Sequence, residues 1–218
     1  MSIYLDHNAT TPVRPEVADA MAAALRALPG NPSSAHAEGR AARAAVEDAR
    51  ADVARLVGAR AEEIVFTSGG TEANELAIRG LLRGSVPLAP RSGERGRPHV
   101  ITSRLEHPSV VGALVAEGAD VTYVDVDAEG RITTDALRVA LRPDTVLVTL
   151  ALANHELGNV YDVAALARVA HEGGALFHAD AVQAAGKIEI AVDALGVDAL
   201  TLSAHKLHGP KGVGAVFI

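Results

Sequence analysis

The sequence predicts an α/β protein, a mostly parallel sheet with helices on both faces. Three observations carry this: short β-branched runs recur along the chain, Ala-rich stretches lie between most of them, and the last two runs are joined differently from the rest. With 218 residues, 49% of them hydrophobic and 22% charged, the chain can bury one sizeable core.

Two Ala-rich helices, near Pro15 to Leu28 and Ala35 to Val57, precede the sheet. Ile64 to Thr67 is the first strand, and a helix near Glu72 to Arg83 follows it. The stretch from Gly84 to Pro98, rich in Gly and Pro, reads as a solvated loop. His99 to Thr102 and Val121 to Val124 are strands on either side of a helix near Ser109 to Glu117. A helix at Thr134 to Leu141 leads to the strand Thr145 to Leu150, and a helix at Val163 to His171 leads to the strand Ala175 to Ala179. Ala199 to Leu202 and Gly214 to Ile218 complete the set. Only about a dozen residues, full of Gly, Pro and Lys, separate that last pair, too few for a helical crossover, so the final strand is expected to be antiparallel to its neighbour.

Composition narrows function. A net charge of −7 argues against a broad nucleic-acid-binding face, and the one basic cluster, Arg91 to Arg97, falls in the predicted loop. No run of about 18 apolar residues is present, and the N-terminus has neither a basic region nor an apolar signal core, so the expected location is cytoplasmic and no membrane partner is expected. The cysteine count is zero, which excludes disulfides and thiolate metal sites within the chain.

Lys206 is the most informative residue. It sits in Ser203-Ala204-His205-Lys206-Leu207-His208-Gly209-Pro210-Lys211-Gly212, downstream of His178-Ala179-Asp180-Ala181-Val182-Gln183. A lysine amine can hold the aldehyde of pyridoxal phosphate (PLP), and an aspartate at a strand end can keep the pyridine nitrogen protonated, so this pairing reads as a PLP site. Asp180 lies just beyond an apolar strand, where open α/β sheets place their ligands. Thr67-Ser68-Gly69-Gly70-Thr71-Glu72 supplies a strand, two glycines and a helix start, the pattern that receives a phosphate, with Gly70 and Thr71 as the expected contacts; a plain capped helix is the alternative. His205 and His208 could instead form a metal pair, but a zinc site needs further ligands and Lys206 would place a like charge beside the cation, so no metal is expected.

From Tyr4-Leu5-Asp6-His7-Asn8-Ala9-Thr10-Thr11-Pro12 onward the chain resembles the first part of a cysteine desulfurase, in the class V aminotransferase-like group of PLP enzymes. Thr67 to Asn74, Glu106-His107-Pro108 and Asn154-His155-Glu156-Leu157-Gly158 fall in the order of that family's motifs. The resemblance implies a PLP-binding large domain, incomplete at its C-terminal end, over residues 15–218, and an N-terminal segment, residues 1–14, that packs with a small domain. It implies that Lys206 carries the cofactor, that His107 stacks on the pyridine ring and can shuttle protons, and that Asp180 pairs with the ring nitrogen. It further implies that Ser203 and His205 complete the phosphate cradle, and that Gln183 and Asn154 contact the ring edge near the phenolic oxygen. A structural role for His107, and turn or cap roles for Asn154 and Gln183, are the competing readings. Lys211, between Pro210 and Gly212, is the less favoured lysine.

The implied reaction removes sulfur from L-cysteine to give L-alanine and supplies iron–sulfur cluster assembly or tRNA thiolation. Its implied partners are a second copy in a homodimer and a sulfur-acceptor or iron–sulfur scaffold protein. The acceptor cysteine expected in the later part of such chains is not among these residues. A fragment, half of a split enzyme, a non-catalytic remnant, and another class V aminotransferase or lyase are therefore the alternatives.

Overall fold

The computed structural model describes residues 3–85 and 97–218. Helices α1 (Pro15–Ala27) and α2 (Ala37–Val57) lead through a short 3-10 turn to β1 (Ile64–Thr67), then α3 (Gly70–Ser85) and β2 (His99–Thr102). The chain continues through α4 (Pro108–Ala116), β3 (Asp120–Tyr123), α5 (Thr134–Ala140), β4 (Thr145–Ala151), α6 (Val163–Glu172) and β5 (Leu176–Asp180). It ends with α7 (Val192–Leu195), β6 (Ala199–Ser203), a 3-10 turn over Ala204–Lys206, and β7 (Gly214–Phe217). The solvated loop expected from Gly84 to Pro98, with its Arg91 to Arg97 cluster, lies largely outside the described residues.

The seven strands form one sheet in the order β1-β7-β6-β5-β4-β2-β3. Pairs β2–β3, β2–β4, β4–β5 and β5–β6 are parallel, and β7 runs antiparallel to both β6 and β1, as the short β6–β7 connection requires. Period-two alternation splits the strand side chains between two cores. Val100, Leu147, Ala199 and Val216 face α3 and α4, where Ala77, Ile78 and Leu114 meet them. Ile101, Val148, Phe177 and Leu200 face the other layer, with Val57 of α2, Leu137 of α5 and Leu166 of α6. Helices therefore cover both faces.

Several boundaries differ from expectation for identifiable reasons. Helix α3 starts at Gly70 rather than Glu72, because the Ala73 amide already donates to the Gly69 carbonyl at 3.0 Å. Strand β5 runs to Asp180, whose carbonyl still accepts from the Leu152 amide at 2.8 Å. Helix α7 was not foreseen; it is a single turn stopped by Gly196 at φ 64°, too short to show a helical period.

Within the sheet, buried hydroxyls and imidazoles replace some apolar contacts. His178 bridges neighbouring strands, with Nδ1 2.8 Å from Thr149 Oγ1 and Nε2 2.9 Å from Thr201 Oγ1. His99 does the same between Thr145 and Thr122, at 2.8 Å each. Paired this way, both rings avoid the cost of an unmade buried hydrogen bond.

Phe177 is fully buried whereas Val139 on α5 is 88% exposed, so truncation should separate them clearly. Phe177→Ala is expected to lower the unfolding free energy by about 3–5 kcal/mol, and Val139→Ala to change it by less than about 0.5 kcal/mol. Urea denaturation measures both; comparable losses would contradict this assignment of the core.

Candidate active site

The parallel strands share one carboxyl end, and every segment carrying a predicted site residue leaves from it. Thr67 leads to Gly70, Thr102 to His107, β5 ends on Asp180 and β6 on Ser203. Together they wall a cavity of about 240 Å3. Asp180, Lys206, His107 and Gln183 line it, and Gly70, Thr71, Ser203 and His205 line it toward the start of α3. Lys211 is absent from this wall and lines an adjoining depression that shares Gly70, Thr71, Ser203 and His205 with it.

Asp180 is placed by register. It pairs with Ala151 on β4 and Thr201 on β6, which sets its side chain on the α3 face. Its carboxylate, 7% exposed, accepts from Asn74 Nδ2 at 2.8 Å and from the Val182 amide at 2.9 Å. Two donors offset the desolvation that such burial imposes. Below it, burial pushes the His178 imidazole down to about 4, so that ring is neutral at neutral pH.

The far end has the features of an anion cradle. The first amides of a 16-residue helix are free of helical partners there, and the buried Ser203 hydroxyl has no hydrogen-bond partner among the described residues. Position 70 needs glycine for packing, since a Cβ there would lie 2.9 Å from Val182 Cγ2 and 3.4 Å from Ser203 Cβ. Gly214 is tighter still, with a Cβ falling 2.6 Å from the Gly69 carbonyl carbon, so the β6–β7 hairpin is pressed against the glycine turn.

Lys206 sits on the turn opening that hairpin. Its Nζ donates to the Asn8 carbonyl, and burial, with Lys187 as a further cation, holds its amine below the ordinary lysine range against the opposing pull of Asp180 and Asp6. His205 is lowered by burial first and then by Lys206 and Lys211. Gln183 is oriented from both ends: Lys187 Nζ donates to its Oε1 at 2.7 Å, leaving Nε2 to donate to the Asn8 carbonyl at 2.9 Å.

The Lys206 turn is clamped by the N-terminal segment. Thr11 donates to the His205 carbonyl through both its amide, at 2.8 Å, and its hydroxyl, at 2.9 Å, and accepts from the His208 amide at 2.7 Å. Asn8 Nδ2 reaches the His155 carbonyl at 2.8 Å. His208 itself has a left-handed backbone, φ 63°, rare for a non-glycine residue, and these contacts hold it there.

Asn154 is placed differently from the other predicted residues. Its Nδ2 donates to the Leu105 carbonyl at 3.0 Å, and its Oδ1 accepts from the Glu156 and Leu157 amides at 2.9 and 2.8 Å, so the amide is engaged with backbone rather than lining the cavity. Residues that sequence reasoning did not single out join the wall: Asn74, Ala9 and His155. For Asn74 a signal existed, because three residues after Thr71 on a helix is the same face.

The sequence profile of the aminotransferase class-V family matches residues 3–218. The chain belongs to that family. It is 46% identical to the cysteine desulfurase IscS of Dictyoglomus turgidum, over 99% of this chain and 54% of that protein. It is likewise 46% identical to a cysteine desulfurase of Cereibacter sphaeroides, over 99% of this chain and 55% of that one. Among solved structures, one described as SspA in complex with cysteine superposes with a TM-score of 0.91 at 39% identity, covering all of this chain and 61% of that one. A NifS-like protein gives 0.91 at 36% identity, covering 59% of its chain. The chain thus spans about half the length of the curated relatives it matches.

Glu106, beside His107, is 8% exposed; burial pushes its carboxyl up to about 8 against the pull of Ser103 Oγ at 2.6 Å. Between its ordinary value of 4.5 and about 8, the folded state holds a proton that the unfolded chain has lost, so this contribution to stability is full below 4.5 and is lost as pH rises toward 8. His178 acts oppositely, costing stability as pH falls from 6.5 toward 4. The two slopes oppose each other between pH 4.5 and 6.5, leaving Glu106 dominant above. The melting temperature is therefore expected to fall from pH 6.5 to 8, and Glu106→Gln to flatten that fall. An unchanged slope in the variant would show that Glu106 is ionised in the fold.

Proposed function

We propose that this chain is the cofactor-holding portion of a PLP-dependent cysteine desulfurase, converting L-cysteine to L-alanine and passing the sulfur to an acceptor thiol. The observation that carries this is the convergence on one cavity of about 240 Å3 of an amine, a carboxylate and a buried hydroxyl without a partner among the described residues. Similarity to cysteine desulfurases over essentially the whole chain supports the choice of substrate.

The residues present fit PLP. Ser203 Oγ, without a hydrogen-bond partner among the described residues, is a donor that a phosphate oxygen would satisfy, with Gly70, Thr71 and His205 beside it. Lys206 would hold the cofactor covalently, Asp180 would face the pyridine nitrogen, and His107 would lie against the ring. Gln183, its Oε1 taken by Lys187, would present its N–H end to the phenolic oxygen. Asn154 would act through the Leu105 loop it holds. When bound, PLP supplies an electron sink for the electron pair at the substrate α-carbon. The chain's part is to orient the substrate, exclude water, and accept a proton at Lys206 Nζ, whose basicity burial lowers below the ordinary lysine range.

Sulfur transfer balances without an external oxidant: L-cysteine and an acceptor thiol RSH give L-alanine and the persulfide RSSH. The nucleophile must be a thiolate, and with no cysteine in these 218 residues it comes from outside them. The same reading assigns residues 15–218 to a large domain and residues 1–14 to contact with a small one. Its setting is a cytoplasmic homodimer delivering sulfur to an acceptor or iron–sulfur scaffold protein. No helix among the described residues is long and apolar enough to cross a membrane.

Alanine formed from L-cysteine by the purified chain and PLP, with and without an added thiol, tests this. Multiple turnovers are expected only with the thiol, and Lys206→Ala should lower the rate by about 10²–10⁴-fold. Turnover without an acceptor would refute the need for an external thiol. A keto acid in place of alanine would identify an aminotransferase.

A further inference from the structure

A hydrogen-bonded chain links Asp180 and His107 through one side chain of α3 and one of α4. Asn74, 1% exposed, donates through Nδ2 to Asp180 Oδ2 at 2.8 Å and to Ser109 Oγ at 3.0 Å. A carboxylate only accepts, so the nitrogen end of the amide must face this way. With Asn74 donating to Ser109 Oγ, the hydroxyl's own proton is free to point at His107 Nδ1, 2.7 Å away. The same ring nitrogen is 3.2 Å from the Ser109 backbone amide, which can only donate. His107 is the N-cap of α4, so this donor is fixed by the helix itself.

Nδ1 therefore faces two donors and must present its lone pair. A neutral imidazole then carries its proton on Nε2, which has no hydrogen bond among the described residues, and His107 lines the cavity. We propose that Asn74 and Ser109 are positioning residues that fix His107 as its Nε2–H tautomer, so that it meets the occupant of the cavity as a flat ring and a hydrogen-bond donor, not as a base. A proton at Nδ1 would face the Ser109 backbone amide, a donor that cannot turn away. Proton acceptance on this wall is left to Lys206, and the order Asp180–Asn74–Ser109–His107 couples the orientation of the two ring-facing groups.

The tautomer is a property of the chain alone; only its catalytic meaning rests on the PLP reading. It is measured by long-range 15N–1H NMR of the histidine ring in the full 218-residue chain without cofactor, so failure of PLP to bind leaves the result untouched. The His107 signals are assigned by their loss in His107→Gln. A pyridine-type Nδ1 and a pyrrole-type Nε2 are expected in the wild-type chain. Ser109→Ala should shift the Nδ1 resonance toward that of a free ring, Ser109→Thr should restore it, and Asn74→Leu should move it part of the way. Dispersed amide spectra show that each variant is folded, and the wild-type tautomer decides without any variant. A pyrrole-type Nδ1 in the wild-type chain, or Ser109→Ala signals identical to wild type, would overturn the proposal.

Discussion

Placing a carboxylate, almost out of reach of water, at the end of a central parallel strand is the constraint around which this structure is organised. Asp180 needs hydrogen-bond donors, which Asn74 and the Val182 amide supply, and its neighbours must not add negative charge. Glu106 carries a proton at neutral pH for this reason as well as through its own burial, since the charge of Asp180 pushes its carboxyl in the same direction. Beneath, His178 is held neutral between two threonines, so the layer under the carboxylate is polar without being charged. Among the described residues of the cavity wall, Lys206 is the one lysine or arginine, and it shares that wall with Asp180.

The second constraint is mechanical. A lysine on a hairpin turn is useful only if the turn cannot wander, and two contacts prevent that. Gly214 lets the hairpin press directly on the Gly69 backbone, which ties the lysine turn to the start of α3. From the other side Thr11 makes three hydrogen bonds to the turn, and the Asn8 carbonyl accepts from both Lys206 and Gln183. The N-terminal segment is thereby a wall of the site as well as a lead into α1.

Much of this was legible in the sequence because it depends on local pattern. Alternating strand and helix runs gave the sheet and its two covered faces, and the short, glycine-rich β6–β7 connection gave the direction of the last strand. The segments bearing Gly70, His107, Asp180, Ser203 and Lys206 were identifiable because each ends or follows a strand, and parallel strands deliver such segments to one end of the sheet. What could not be read depends on contacts between residues far apart in sequence. Asn74 meets Asp180 across 106 positions and Asn8 meets Lys206 across 198, and no periodicity announces either. Asn154 shows the converse, since its amide engages local backbone, as in the turn or cap role that the sequence left open beside a ring-edge contact. Helix α7, one turn long, is too short for any period to emerge.

Borohydride reduction of the PLP-incubated chain, followed by peptide mapping, tests the central claim most directly. If the cavity is built to hold PLP through the hairpin lysine, the reduced adduct is found on Lys206, and Lys206→Ala gives none. An adduct on Lys211 or Lys187, or no adduct in the wild-type chain, would contradict it.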